Sequence, residues 1–134
     1  MFIPEYGDIE SAMQLIGPHV HRTPVLTSRQ LDAIAGARLF FKCENFQMVG
    51  AFKFRGATNA VMNLSDSQRD AGVVTHSSGN HAAALAHAAV SRGVKAYIVM
   101  PPSAPEVKKR AVAGYGAEIT FCEPTLAARE AAAA

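Results

Sequence analysis

Apolar positions along this chain alternate between helical spacing and short continuous runs, and the changes between the two mark out the elements. Ile9, Met13 and Ile16 recur at helical spacing and stop at Gly17-Pro18, which predicts a helix over Ile9–Ile16. Thr23-Pro24-Val25-Leu26 reads as extended. Thr27-Ser28-Arg29-Gln30 has the form of a capping box and predicts a short helix closed by Gly36. Arg38 to Glu44 reads as an aromatic-rich strand, and a helix is predicted from about Phe52 to Leu64. Beyond Gly72 the rhythm becomes regular. Val73-Val74-Thr75 predicts a strand, Ser77 to His81 a turn, and an alanine-rich helix follows to about Arg92, closed by Gly93. Lys95 to Met100 predicts the next strand. Ser103-Ala104-Pro105-Glu106 has the form of a second capping box, opening a helix that ends near Tyr115-Gly116. Ala117 to Cys122 predicts a further strand, and a last helix begins after Pro124. Strands and helices alternating over short connections predict an α/β fold with a parallel sheet. The uncapped run Ala131–Ala134, with no returning strand, reads as part of a truncated fold.

Composition narrows the class without naming a chemistry. A length of 134 residues fits one domain or a piece of a larger one, and 49% hydrophobic with 18% charged residues reads as soluble and ordered. The net charge of +2 is spread along the chain. Its densest basic cluster, Lys108-Lys109-Arg110, is too short for a nucleic-acid surface and reads as a solvated helix face. Cys43 and Cys122 have no metal-ligand spacing and read as small buried hydrophobes in a reducing compartment. Met1 to Tyr6 shows no basic segment followed by an apolar core, and no run is long enough to span a membrane. A cytoplasmic protein is expected.

Two segments carry candidate chemistry. Gln47 to Ala57 places Lys53 between Phe52 and Phe54 at a loop-to-helix junction. Burying an unpaired ammonium is costly, and the positive end of a helix dipole disfavours a second positive charge. Both favour a partly buried, neutral, nucleophilic amine of the kind that forms Schiff bases with carbonyl compounds, pyridoxal phosphate above all. The alternative is an ordinary surface lysine on an amphipathic helix. The second segment, Ser77-Ser78-Gly79-Asn80-His81, follows a strand and opens a helix. Ligands of open α/β sheets bind beyond the carboxyl ends of strands, and free amides at a helix N-terminus attract anions. The loop can therefore surround a carboxylate or phosphate, or it can serve only as a helix cap. No GxGxxG, Walker-A or HExxH pattern is present, so nucleotide phosphate sites of those types and a catalytic metal are unsupported. Of the five histidines, His19 and His21 read as solvated, His76 and His81 flank the glycine turn with His81 as a candidate ligand contact, and His87 reads as a packing residue.

Taken together these segments resemble a known family: pyridoxal-phosphate enzymes of the tryptophan-synthase-β type, specifically the threonine/serine dehydratases and serine racemases. The resemblance rests on Thr23-Pro24-Val25-Leu26, on Phe41 to Gln47 continuing through Lys53-Phe54-Arg55-Gly56-Ala57, on His76 to His81, and on Gly114-Tyr115-Gly116-Ala117. It covers nearly the whole chain. It implies the parallel-sheet fold of that type (fold type II of the pyridoxal-phosphate enzymes) in truncated form, with residues 1–70 in a large domain and 71–134 in most of a small one. By the same resemblance Lys53 is the Schiff-base lysine that later moves the substrate's α-proton, with Phe52 beside it among the cofactor contacts. Asn80 hydrogen-bonds the cofactor's phenolic oxygen, and Ser77, Ser78, Gly79 and His81 grip the substrate carboxylate. In the racemases the serine matching Ser78 is also the acid/base on the opposite face, and Arg129 stands where they carry an arginine near that carboxylate.

The implied activity is a pyridoxal 5'-phosphate-dependent ammonia-lyase acting on threonine, serine or 3-hydroxyaspartate. The alternatives are serine racemisation by the same first step, or an incomplete remnant that only binds a ligand or partner. A small amino-acid substrate and a homo-oligomeric full-length form are implied, with no nucleic acid, membrane or metal. The chain departs from the family in carrying Ala51 where serine is common. The family's glycine-rich phosphate loop and its contact to the pyridine nitrogen are not found in these 134 residues, which implies an N-terminal part.

Overall fold

A computed structural model describes residues 3–134; Met1 and Phe2, where a leader peptide would begin, lie outside them. Helix α1 (Tyr6–Ile16) starts where the Asp8 carboxylate accepts the Glu5 N–H at 2.8 Å, and it buries Ile16 alone. Strand β1 (Val25–Leu26) pairs antiparallel with β2 (Phe41–Lys42), and α2 (Arg29–Ala35) lies between them in sequence. Ser28, not Thr27, caps α2: its Oγ accepts the Leu31 N–H at 3.4 Å, and the expected box does not form because Leu31 has no side-chain acceptor to return the bond. The strand expected over Arg38 to Glu44 shortens to β2 because its neighbours are engaged elsewhere. Leu39 N–H goes to the Asp32 carboxylate at 2.8 Å, and the chain turns into a 3₁₀ segment from Glu44.

Helix α3 (Lys53–Met62) follows, then α4 (Asp66–Ala71), which the apolar pattern does not predict. Its residues have no apolar stripe; a capping box between Ser65 and Gln68 holds it. The remainder matches expectation in order: β3 (Val73–His76), α5 (Asn80–Val90), β4 (Ala96–Met100), α6 (Glu106–Gly114), β5 (Glu118–Phe121) and α7 (Leu126–Ala133). Gly93, at φ 68°, closes α5 by letting the Val94 N–H return to Ala89 O at 2.9 Å. The capping box expected at Ser103 does not form. Pro105 takes an extended conformation and stands as the N-cap of α6 without a side-chain bond.

The sheet β3–β4–β5 is parallel, with β4 central. Ile98 and Met100 on β4 are fully buried, as a middle strand covered on both faces should be. Helices α5 and α6 touch each other and pack on the sheet, while α7 lies against β3 and β4. The cluster at the centre joins α3 to α5: Phe54, Ala57 and Val61 meet the alanines of α5, Ala82 and Ala89 among them. Helix α5 is apolar nearly all round because it is enclosed nearly all round. Its small side chains let α3 approach closely, and that approach positions the residues discussed next.

Candidate active site

The loop before Lys53 is held by a charged cluster that spans the N-terminal third of the chain. Arg55 on α3 grips Glu44 with two bonds, Nε to Oε2 at 2.8 Å and a terminal nitrogen to Oε1 at 2.7 Å. The same guanidinium donates to His21 O at 3.1 Å, and Thr23 donates its hydroxyl proton to Glu44 at 2.6 Å. The fork of Arg55 holds the Glu44 carboxyl down from its ordinary 4.5 to about 2; partial burial opposes this, and Thr23 and the nearby charge of Lys42 assist it. Gln47 adds a second clamp, accepting the His21 and Met48 N–H groups and donating to His21 O. Between these clamps the backbone is strained. Val49 sits at φ 55° and Gly50 at φ 68°, and a left-handed conformation is costly for a β-branched residue.

This loop delivers Lys53 as the first residue of α3. The expectation of a partly buried amine is not met: Lys53 is exposed, as is Phe52, with Nζ 5.1 Å from the Phe52 ring centroid. Successive helical residues point about 100° apart, so Phe54, which is buried against α5, turns its neighbours outward. The expected placement at the positive end of a helix does hold. So does the expected strand–loop–helix setting of Ser77 to His81, which joins β3 to α5. Ser77 Oγ accepts the Gly79 N–H at 3.3 Å, and Gly79, at the N-cap, offers α5 no side-chain bond. The first amides of α5 are therefore unspent on any cap.

Packing of α3 on α5 brings both N-termini to one cleft. Phe52, Lys53, Gly56, Ala57 and His81 line it, with a volume of about 220 Å³. Burial lowers the affinity of His81 for a proton, and the positive charge of Lys53 lowers it further. In a Lys53→Gln protein the His81 ring is thus expected to titrate at higher pH than in the parent. It should still fall short of the ordinary histidine value, because the burial remains. NMR titration of the ring carbons reads this, and an unchanged midpoint would separate the two side chains.

Among the other sequence candidates, Ser77, Ser78 and Gly79 are half-buried in the loop and Asn80 is exposed at its end. Arg129 is not drawn into the cleft; its Nε donates to Thr125 O at 3.2 Å within α7. His21 is exposed but engaged, its Nδ1 lying 3.0 Å from Phe46 O. His87 packs as expected, its ring 5.1 Å from Phe54 and 4.9 Å from Tyr115. Cys43 and Cys122 are free thiols, half-buried where full burial was expected. Pattern reading missed the Glu44–Arg55–Thr23 cluster, whose members are up to 32 residues apart. The one available signal was an acid and a base in the two segments flanking the lysine loop. Among the described residues no helix is long and apolar enough to cross a membrane, and no group of three or more metal-binding side chains gathers.

Known proteins are similar to this chain in sequence and fold. The family model described as "Pyridoxal-phosphate dependent enzyme" matches residues 16–134. A beta-hydroxyaspartate dehydratase of Paracoccus denitrificans is 55% identical over 130 residues, 97% of this chain and 41% of that protein. A serine racemase of Dictyostelium discoideum is 51% identical over 123 residues, 92% of this chain and 38% of that protein. The solved structure of maize serine racemase superposes with a TM-score of 0.94 at 48% identity, covering 98% of this chain and 40% of that one. The chain thus spans about two fifths of the length of these relatives, in the fold type II arrangement of the pyridoxal-phosphate enzymes. With the family model covering most of its length, this chain belongs to the pyridoxal-phosphate-dependent enzymes.

Proposed function

We propose that this chain carries the lysine-bearing part of a pyridoxal-phosphate-dependent ammonia-lyase for hydroxy-amino acids such as 3-hydroxyaspartate, serine or threonine. The observation that carries the reading is the meeting of Lys53 and His81 at one cleft between two helix N-termini. The donor set fits the cofactor: an exposed primary amine for its aldehyde, an aromatic neighbour for its ring, and unspent amides for anionic groups. On this reading Lys53 bonds the cofactor, with Phe52 and Asn80 among its contacts. Ser77, Ser78, Gly79 and His81 seat the substrate carboxylate, while Arg129 stays bonded to Thr125 O away from it. The cleft is smaller than the roughly 300–1,000 Å³ of ordinary small-molecule sites, so it supplies one wall of the pocket. Residues up to about 70 belong to a large domain and 71–134 to a small one, and the complete protein is a homo-oligomer.

Pyridoxal phosphate, when bound, supplies an electron sink for the pair left behind as the α-proton departs. Fixing the carboxylate at the α5 N-terminus orients the α-hydrogen toward Lys53, whose amine takes the proton. The β-hydroxyl then leaves, and hydrolysis of the released enamine gives a 2-oxo acid and ammonia. A neutral His81 spares the site an additional positive charge beside that amine.

A second reading, racemisation, is favoured by Ser78. Its neighbour Ser77 is spent on the Gly79 N–H, whereas the Ser78 hydroxyl makes no hydrogen bond among the described residues and can return a proton from the opposite face. Incubation with the cofactor and L-serine, L-threonine or 3-hydroxyaspartate, followed by chiral analysis and oxo-acid detection, tests both. Oxo acid from a hydroxy-amino acid supports the lyase, and inversion without oxo acid supports the racemase. Neither product, with no cofactor fixed on Lys53 after borohydride reduction, would overturn the proposal.

A further inference from the structure

The packing of α3 on α5 leaves a second cavity, of about 270 Å³, that shares no lining residue with the Lys53 cleft. Phe54, Thr58 and Met62 recur every four residues on α3 and so lie on one face, and His87 meets them from α5. Two of these four side chains carry a polar atom that the fold leaves without a partner. Thr58 is only 4% exposed, and its Oγ1 makes no hydrogen bond among the described residues. A helical threonine has a ready acceptor in the carbonyl one turn earlier, and this one does not take it. His87 Nδ1, on the ring that contacts Phe54 and Tyr115, is buried and equally unpaired. Ser91, which also lines the cavity, is by contrast satisfied by Ala88 O at 2.8 Å. Orphaned buried polar atoms are rare because each forfeits its hydration, and two on one cavity mark a place that receives a polar group.

The chemistry of the wall describes the occupant. A hydroxyl both donates and accepts, and an imidazole nitrogen does one or the other with its tautomer, so a single ligand hydroxyl can serve Thr58 and His87 together. The remaining wall suits a ring: Phe54 is aromatic, and the thioethers of Met48 and Met62 make favourable contacts with aromatic rings. About 150 Å³ suffices for benzene in an apolar cavity, so this space admits a ring with a substituent. No charge is selected. Arg92 and His19 stand at an exposed rim, while the cavity reaches Met62 and Ser91 at the C-terminal ends of α3 and α5, where the dipoles disfavour an anion. We propose that this cavity is a second binding site, for a small uncharged hydroxyaromatic molecule.

The test uses the full 134-residue chain, labelled with nitrogen-15 and with carbon-13 in its methionine methyl groups, and titrated with phenol, toluene and benzoate. The methyl signals of Met48 and Met62 report the cavity, and the amides of Ser77 to Asn80 report the Lys53 cleft. Toluene has the greater apolar area, so a cavity offering only apolar wall prefers it. Phenol is nevertheless expected to bind about tenfold more tightly than toluene, the order of its hydrogen bonds to the two orphaned atoms, and benzoate no more tightly than toluene. Thr58→Val exchanges the hydroxyl for a methyl of the same shape and should fold as the parent does; in it the preference for phenol should be lost. His87→Phe, which keeps a ring beside Phe54 and Tyr115, should lower that preference too. Methionine methyls that respond to none of the three, toluene matching phenol in the parent, or a preference that survives in both variants each overturn the site. Benzoate binding more tightly than phenol overturns the uncharged class. Shifts confined to Ser77 to Asn80 place the ligand in the Lys53 cleft and overturn the second site.

Discussion

Incubated with pyridoxal phosphate and reduced with borohydride, the parent chain is expected to carry one cofactor mass on Lys53, and the Lys53→Ala chain none at that position. The loss should be complete, since no other amine lies at that cleft. Its four fellow lysines provide an internal control. Lys42 donates to Thr23 O at 2.7 Å and Lys109 is tied to α6, while Lys95 and Lys108 stand outside the cleft. Two features favour Lys53: it opens a helix, where dipole and amides attract the cofactor's anionic groups, and the face of Phe52 lies beside it. Peptide mapping reads the outcome. Labelling spread evenly over all five lysines would show that the cleft confers no selectivity.

The second large effect is on stability. Arg55→Met is expected to lower the unfolding free energy at neutral pH by about 2 kcal/mol, below the 3–5 of a fully buried pair because water still reaches both partners. The substitution keeps most of the apolar stem and removes the fork, leaving Glu44 a carboxylate with only Thr23 to donate to it. The acid dependence fixes the cause. Glu44 titrates lower when folded than when unfolded, so its contribution is present above the ordinary carboxylate range. It is lost as pH falls from about 4.5 toward 2. Urea unfolding should therefore show the two proteins far apart at pH 7 and converging near pH 2.5. Curves that stay parallel across that range would assign the loss to packing.

Much of this fold was readable from the chain because it is built from local rules. The β3–α5–β4–α6–β5 series follows from apolar runs separated by turn residues, and Gly93 ends α5 where a left-handed residue is needed. Helix α4 escaped because Asp66 to Ala71 has no apolar stripe; a cap and tertiary context hold it. Strand β2 came out short because Asp32 took the Leu39 N–H, a competition that a propensity pattern does not contain. At the site, the helix-start positions of Lys53 and of the Ser77–His81 loop were legible from their flanking elements. The exposure of Lys53 was not, since it depends on which residue of Phe52-Lys53-Phe54 turns toward α5. The Glu44–Arg55 fork was illegible for a simpler reason: a bond across 11 residues of irregular chain leaves no period.

The alanines of α5 also set how this chain can vary. Ala82, Ala84, Ala86, Ala88 and Ala89 are at most 1% exposed, enclosed by α3, α6 and the sheet. In a saturation-mutagenesis map they would form a set of positions round the helix in which only glycine or serine is admitted. Every larger residue there must push α5 away from α3, α6 or the sheet, and the Ser77–His81 loop rides on the end that moves. Variants at these positions would therefore shift the Ser77–His81 loop relative to Lys53 without touching either, and a functional screen would score them beside true site variants. Drift in such a sequence is confined to exposed positions such as Val90, the last residue of α5.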